Sequence, residues 1–185
     1  MPSPFFTWEK KIVERRVLLL LCSLLAFAGG FAGGSSPARA DDPDFISFGA
    51  GLFDFNDNMT SYMGAVEYRS DKKFFFLKPF GGFMMNGDRG GDMYLGVLMD
   101  IFFGRRLVLT PNFAPSLYWK GNDSKDLGHP LEFRSGLEIA YRFDNRSRLG
   151  LAVHHLSNAS ISNDNPGTEL VTLYYSVPMD KLFTR

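Results

Sequence analysis

The chain has 185 residues, with 20 Lys and Arg against 20 Asp and Glu, 15% aromatic residues and 19 glycines. That length suits one domain. The formal charge is zero and falls to −3 once the five basic and two acidic residues of the first 40 are set aside, which makes the chain a poor partner for nucleic acid.

Lys10, Lys11, Arg15 and Arg16 precede an apolar run from Val17 to Ala28, and small residues follow as far as Ala38-Arg39-Ala40. This order reads as a signal peptide over residues 1–40 with cleavage after Ala40, leaving a mature domain over 41–185. The apolar run is too short to cross a bilayer as a helix. Leu21 stands before Cys22 where a lipoprotein signal wants a small residue. Cys22 is the one cysteine, so the mature chain has none and no intramolecular disulfide. Beyond the signal no apolar run approaches the length of a helical span.

From Asp44 onward the pattern has period two. Ile46, Phe48, Ala50 and Leu52 alternate with Ser47, Gly49, Gly51 and Phe53, and the turn Asn56-Asp57-Asn58 follows. Tyr62, Val66 and Tyr68 oppose Ala65, Glu67 and Arg69, with a short turn at Ser70-Asp71. The third run, Phe74 to Met85, is too uniformly apolar to assign faces. The fourth sets Met93, Leu95, Val97, Met99, Ile101 and Phe103 against Asp92, Tyr94, Gly96, Leu98 and Asp100. The fifth carries Leu107, Leu109 and Phe113 opposite Thr110, Asn112 and Ser116; Pro111 and Pro115 make it the least regular, since proline cannot donate to a ladder. After a polar loop from Lys120 to Pro130, Leu131, Phe133, Leu137, Ile139 and Tyr141 oppose Glu132, Arg134, Glu138 and Arg142. The seventh run places Leu149, Leu151, Val153, His155 and Ser157 on one side, and the eighth does the same for Glu169, Val171, Leu173, Tyr175 and Val177.

Eight strands of about ten residues, without a helix, match the length of tilted membrane-crossing strands. Charges such as Glu67, Asp100, Arg134 and Glu138 fall mid-strand, opposite the apolar side. An outer-membrane barrel turns apolar side chains to lipid and fills its interior with polar ones. The export signal, the even strand count and connections alternating between short and long favour an all-β, eight-stranded antiparallel outer-membrane β-barrel. A soluble eight-stranded barrel of lipocalin type is the alternative.

Parity also selects a site. His155 and Ser157 share the apolar side of their strand, and Glu169 shares the apolar side of the next. In a strand, residues i and i+2 lie about 6.5–7 Å apart on one face, so a hydroxyl and an imidazole can meet there. A hairpin would bring the carboxylate beside the ring. Nucleophile, base and orienting acid form a serine-hydrolase constellation recognised by geometry rather than chain order. The plainer reading is polar residues at the headgroup boundary, where they are tolerated. On spacing alone the plainer reading is favoured.

The segment His155-Leu156-Ser157-Asn158-Ala159, the later Asn165-Pro166-Gly167 and Glu169, and the tail from Leu170 to Met179 resemble the lipid A 3-O-deacylase (PagL-type) family. The resemblance covers about residues 44–183. It implies a Ser-His-Glu triad on the outside of the barrel that removes an ester-linked acyl chain from the lipid A of lipopolysaccharide, without a cofactor. By that match His155 is the base, Ser157 the nucleophile, Glu169 the orienting acid and Asn158 the oxyanion donor, with nearby backbone N–H groups as its alternative. Val153, Val171 and Leu173 would contact the acyl chain. His154 points inward by parity, away from the site.

Other readings find less support. No G-x-S-x-G elbow or H-E-x-x-H helix occurs. His129 stands alone in a loop, and no metal site is expected. The clusters at 54–58 and 163–165 could attract Ca²⁺ but match ordinary turn chemistry. The rival class is a non-catalytic structural or adhesive barrel. Dimerisation is left open.

Overall fold

The computed structural model describes residues 42–182. The signal-peptide reading of residues 1–40 and its cleavage point lie outside the described residues. Strands β1 (Phe45–Phe53), β2 (Ser61–Arg69), β3 (Lys78–Asn86), β4 (Gly91–Leu98), β5 (Ile101–Phe103), β6 (Leu107–Trp119), β7 (Leu131–Arg142), β8 (Arg148–Ser157) and β9 (Thr168–Pro178) are followed by a single helical turn, α1 (Met179–Leu182).

The strands pair antiparallel in the order β4-β3-β2-β1-β9-β8-β7-β6, β4 also pairs β6, and β5 pairs β6 alone. The sheet therefore closes on itself as an eight-stranded barrel. The ninth segment is not a ninth wall: β5 continues the line of β4 along the same partner, β6. The interruptions have a local cause. In that register Leu95 and Met99 fall opposite Pro115 and Pro111, which have no N–H to give. Met99 N–H still donates to the Pro111 carbonyl at 3.1 Å.

Parity follows the period-two pattern. Along β8, Arg148, Gly150, Ala152, His154 and Leu156 face inward, and Leu149, Leu151 and Val153 face out. Along β2, Ala65, Glu67 and Arg69 are buried while Tyr62, Val66 and Tyr68 are exposed. The interior is filled, not hollow. Arg69 donates its Nε to Glu67 at 2.6 Å and its Nη2 to Glu138 at 2.5 Å. Tyr94 donates to the other Glu67 oxygen at 2.9 Å, and the Arg134 guanidinium lies 4.5 Å over the Tyr94 ring. A second cluster near the chain ends joins Lys78 and Arg148 to both Asp42 and Asp100.

One expectation changes. The third apolar run is not a strand from Phe74; β3 begins at Lys78, and Phe74, Phe75 and Phe76 belong to an exposed turn. The turn at Ser70 is correspondingly not short. It spans residues 70–77 and is the longest connection at that end, against 104–106 and 143–147.

Removing Glu138 leaves the buried Arg69 fork without its best partner. Glu138→Ala should cost about 3 kcal/mol, the usual penalty for stranding one member of a buried pair, read as a lower urea midpoint for the barrel in detergent micelles.

Candidate active site

Strands β8 and β9 are joined by residues 158–167, and their register places His155 directly opposite Glu169. Both project from the outer wall, half-exposed, and His155 Nδ1 lies 3.2 Å from Glu169 Oε1. A carboxylate can only accept, so this contact puts a proton on Nδ1, and in the neutral ring Nε2 then keeps its lone pair. Ser157 lies on the same face two residues nearer the rim, paired with Phe133 of β7. Among the described residues the ring's hydrogen bond is to Glu169, and none joins it to Ser157. In free enzymes such contacts are often long and tighten around substrate.

The next outward rungs are apolar. Val153 stands opposite Val171 and Leu151 opposite Leu173, all on the outer wall. They form a stripe running from the His155–Glu169 rung toward the middle of the barrel. His154 faces the other way: buried, edge-on to Tyr174, with Gly136 opposite it. A Cβ at Gly136 would stand 2.1 Å from the His154 ring, so the glycine makes room for an interior imidazole. His155 is thus the imidazole available to the outer wall.

Gly167, in the Asn165-Pro166-Gly167 motif, has a structural task. Its φ is +62°, which favours glycine, and a Cβ there would lie 3.1 Å from the His155 ring. The glycine keeps the turn tight against the imidazole.

Asn158 sits differently from the expectation for a free oxyanion donor. Its side chain is fully buried, and its amide donates to the carbonyls of Asp164 at 2.8 Å and Leu127 at 3.1 Å, and toward Ser162 Oγ at 3.2 Å. Its backbone N–H donates to Asn165 Oδ1 at 3.0 Å. To serve an oxyanion, Asn158 would have to release one of these partners.

What these bonds do is tie two loops together behind the site. Leu127 belongs to the long loop over residues 120–130, for which the sequence offered no role. The loop packs back into the barrel, with Leu127 buried and Tyr118 donating to the Lys125 carbonyl at 2.6 Å. Lys125 reaches Asp54 at 2.7 Å and Asp57 at 3.0 Å. Asp54 also accepts from Thr168, the neighbour of Glu169, at 2.8 Å. Partial burial works against the Lys125 charge, and the hydrogen bonds to Asp54 and Asp57 outweigh it, holding its pKa above the usual lysine value. Asp54 and Asp57 face an ammonium, and the Asp164 main-chain carbonyl and the Asn165 side chain hold Asn158, so both segments brace their turns.

With this geometry in view, comparison with known proteins decides the family. A family model described as lipid A 3-O-deacylase (PagL) matches residues 47–178. The chain belongs to the lipid A 3-O-deacylase family. A solved structure titled "Crystal structure of the outer membrane enzyme PagL" is similar to it with a TM-score of 0.58 and 19% identity, covering 72% of this chain and 99% of that one. A designed transmembrane β-barrel matches with a TM-score of 0.49 and 13% identity, over 74% of this chain and 96% of that one. No curated protein matches the chain. As a member of this family with the same barrel, the protein is an outer-membrane protein.

The brace can be tested apart from catalysis. Lys125→Ala should free the 120–130 loop and speed its cleavage by chymotrypsin in the folded barrel, while the barrel itself stays intact. The folded Lys125 pKa is raised, so its ammonium is fully charged at neutral pH, where Asp54 and Asp57 are ionised. On the alkaline side, protection of the wild-type loop should fade as pH rises through that raised value.

Proposed function

We propose that this deacylase works through a Ser157–His155–Glu169 triad on its hydrocarbon-facing wall, cleaving the 3-O-acyl ester of lipid A that diffuses to it in the outer leaflet. The observation that carries the proposal is the outward His155–Glu169 pair, in register and hydrogen-bonded, with Ser157 on the same face.

Each role follows from position. Glu169 holds the proton on Nδ1 and stabilises the imidazolium that forms during reaction. Nε2 takes the Ser157 proton as Oγ attacks the ester carbonyl carbon. The tetrahedral intermediate collapses with cleavage of the bond between the carbonyl carbon and the sugar oxygen, and the imidazolium returns its proton to that leaving oxygen. Water at the headgroup level, deprotonated by the same ring, then frees the fatty acid and restores Ser157. The acyl chain lies along Val153, Val171 and Leu173, which continue the wall beneath the reacting groups.

For the oxyanion, the bonds already made by Asn158 favour backbone N–H groups of the turn that follows Ser157. There Ala159 and Ser160 both take positive φ, at 52° and 64°, a conformation rarely held by non-glycine residues without a reason. Asn158 then contributes by holding this turn against Leu127 and Asp164. One such donor is typically worth ~3–4 kcal/mol of transition-state stabilisation.

Mass spectrometry of lipid A from cells carrying the protein tests the proposal. The wild type should remove one hydroxyacyl chain. Ser157→Ala and His155→Ala should each reduce the rate by about 10⁴-fold or more, and Glu169→Gln by roughly 10³–10⁴-fold. A Ser157→Ala barrel that inserts normally and still deacylates lipid A would refute the nucleophile. The rival reading, a structural or adhesive barrel, predicts no change in lipid A with any of these proteins.

A further inference from the structure

The end of the barrel opposite the candidate site carries a feature that catalysis does not use. Residues 70–77 connect β2 to β3, and within them Phe74, Phe75 and Phe76 are 74%, 84% and 63% exposed. Phe75 is the most exposed large apolar side chain among the described residues. Phe74 and Leu77 exchange both backbone hydrogen bonds, at 2.9 and 3.1 Å, so Phe75 and Phe76 form the tip of a two-residue turn. Phe75 takes a φ of +57° there, where glycine or asparagine is the ordinary choice. Turn geometry therefore gives no reason for a phenylalanine at this place, and the reason lies in what its ring touches.

Three observations say what that is. The outward residues at the root of the turn are Tyr68 and Pro79, and above them Val66 and Phe83, so the turn continues the apolar band of the wall. Lys72 and Lys73 precede the aromatic residues and are also exposed. Asp71, the acid beside them, has its backbone N–H bound to Asp44 Oδ1 at 2.6 Å, which fixes the root of the turn to the segment leading into β1. Exposed apolar rings beside lysines suit a membrane–water interface, the rings entering the headgroup/acyl boundary and the ammonium groups meeting anionic lipid.

We propose that the 70–77 turn is an interfacial anchor for the phospholipid leaflet at this end of the barrel. Phe74, Phe75 and Phe76 enter the headgroup region, and Lys72 and Lys73 meet anionic phosphates. The anchor sets the depth at which the barrel rides. Because the wall is rigid, it also sets the height of the His155–Glu169 rung at the other end. This turn would hold the site level with its membrane-borne substrate.

The test uses Phe75→Trp in the full chain, purified from membranes into vesicles of phosphatidylethanolamine and phosphatidylglycerol. The difference in tryptophan emission from the parent protein reports on position 75 alone. The anchor predicts blue-shifted added emission, strong quenching by lipid brominated near the top of its acyl chain, and little quenching by acrylamide. Added emission that is red-shifted, untouched by the brominated lipid and open to acrylamide would overturn the proposal. Lys72→Gln with Lys73→Gln should weaken the lipid quenching in anionic vesicles and leave it unchanged in purely zwitterionic ones. A loss that ignores lipid charge, or no loss in either, would overturn the role of the lysines. None of these readings depends on deacylation, so the anchor and the triad can fail separately.

Discussion

Closure of the sheet is the constraint on which the molecule depends. Inside a bilayer an unpaired backbone N–H or C=O finds no water, so every strand must be paired on both edges. The ladder therefore runs from β1 through β9 and returns through β4 and β6. Once the wall is closed, each strand has one parity for lipid and one for the interior. That rule puts Glu67, Arg69 and Glu138 together where they can neutralise one another. The same rule leaves His155 and Glu169 on the outside, where an ionisable side chain is costly without a partner or a purpose.

The outer pair is cheap to place because its neighbours do the positioning. Register alone brings the two residues opposite each other, and the left-handed Gly167 lets the returning turn pass close to the ring. Behind the wall, the inward neighbours Asn158 and Thr168 are held by loop carbonyls and by Asp54. The outer face of this pair thus needs few polar contacts of its own, since its orientation is fixed from the interior side. In the proposed mechanism that division leaves groups on the outer wall available to meet the substrate.

Much of this was legible in the residue pattern. A period of two is insensitive to everything except facing, so His154 and His155 could be assigned to opposite sides before any coordinates, as could the charges of β2 and β7. The same insensitivity explains the error at Phe74. Four consecutive apolar residues, Phe74 to Leu77, carry no alternation, and an exposed aromatic turn looks identical to a buried strand. Pro111 and Pro115 did announce irregularity, but the gaps they cause appear on the partner strand, at Leu95 and Met99. The brace through Lys125, Asp54 and Thr168 left no trace, because its members are far apart in the chain and nothing local marks them as partners. Asn158 illustrates a further limit: the family resemblance implies an oxyanion donor at this position, and nothing in the sequence tells that its amide faces inward, bonded to loop carbonyls.

The account stands or falls on whether the outer-wall serine is activated by the histidine beside it. The most direct measurement is covalent trapping of the folded protein in vesicles with a long-chain alkyl fluorophosphonate, followed by peptide mass spectrometry. The account predicts a single adduct on Ser157, fast in the wild type and nearly absent in His155→Ala. An adduct on another serine, or equal labelling of Ser157 without His155, would contradict it.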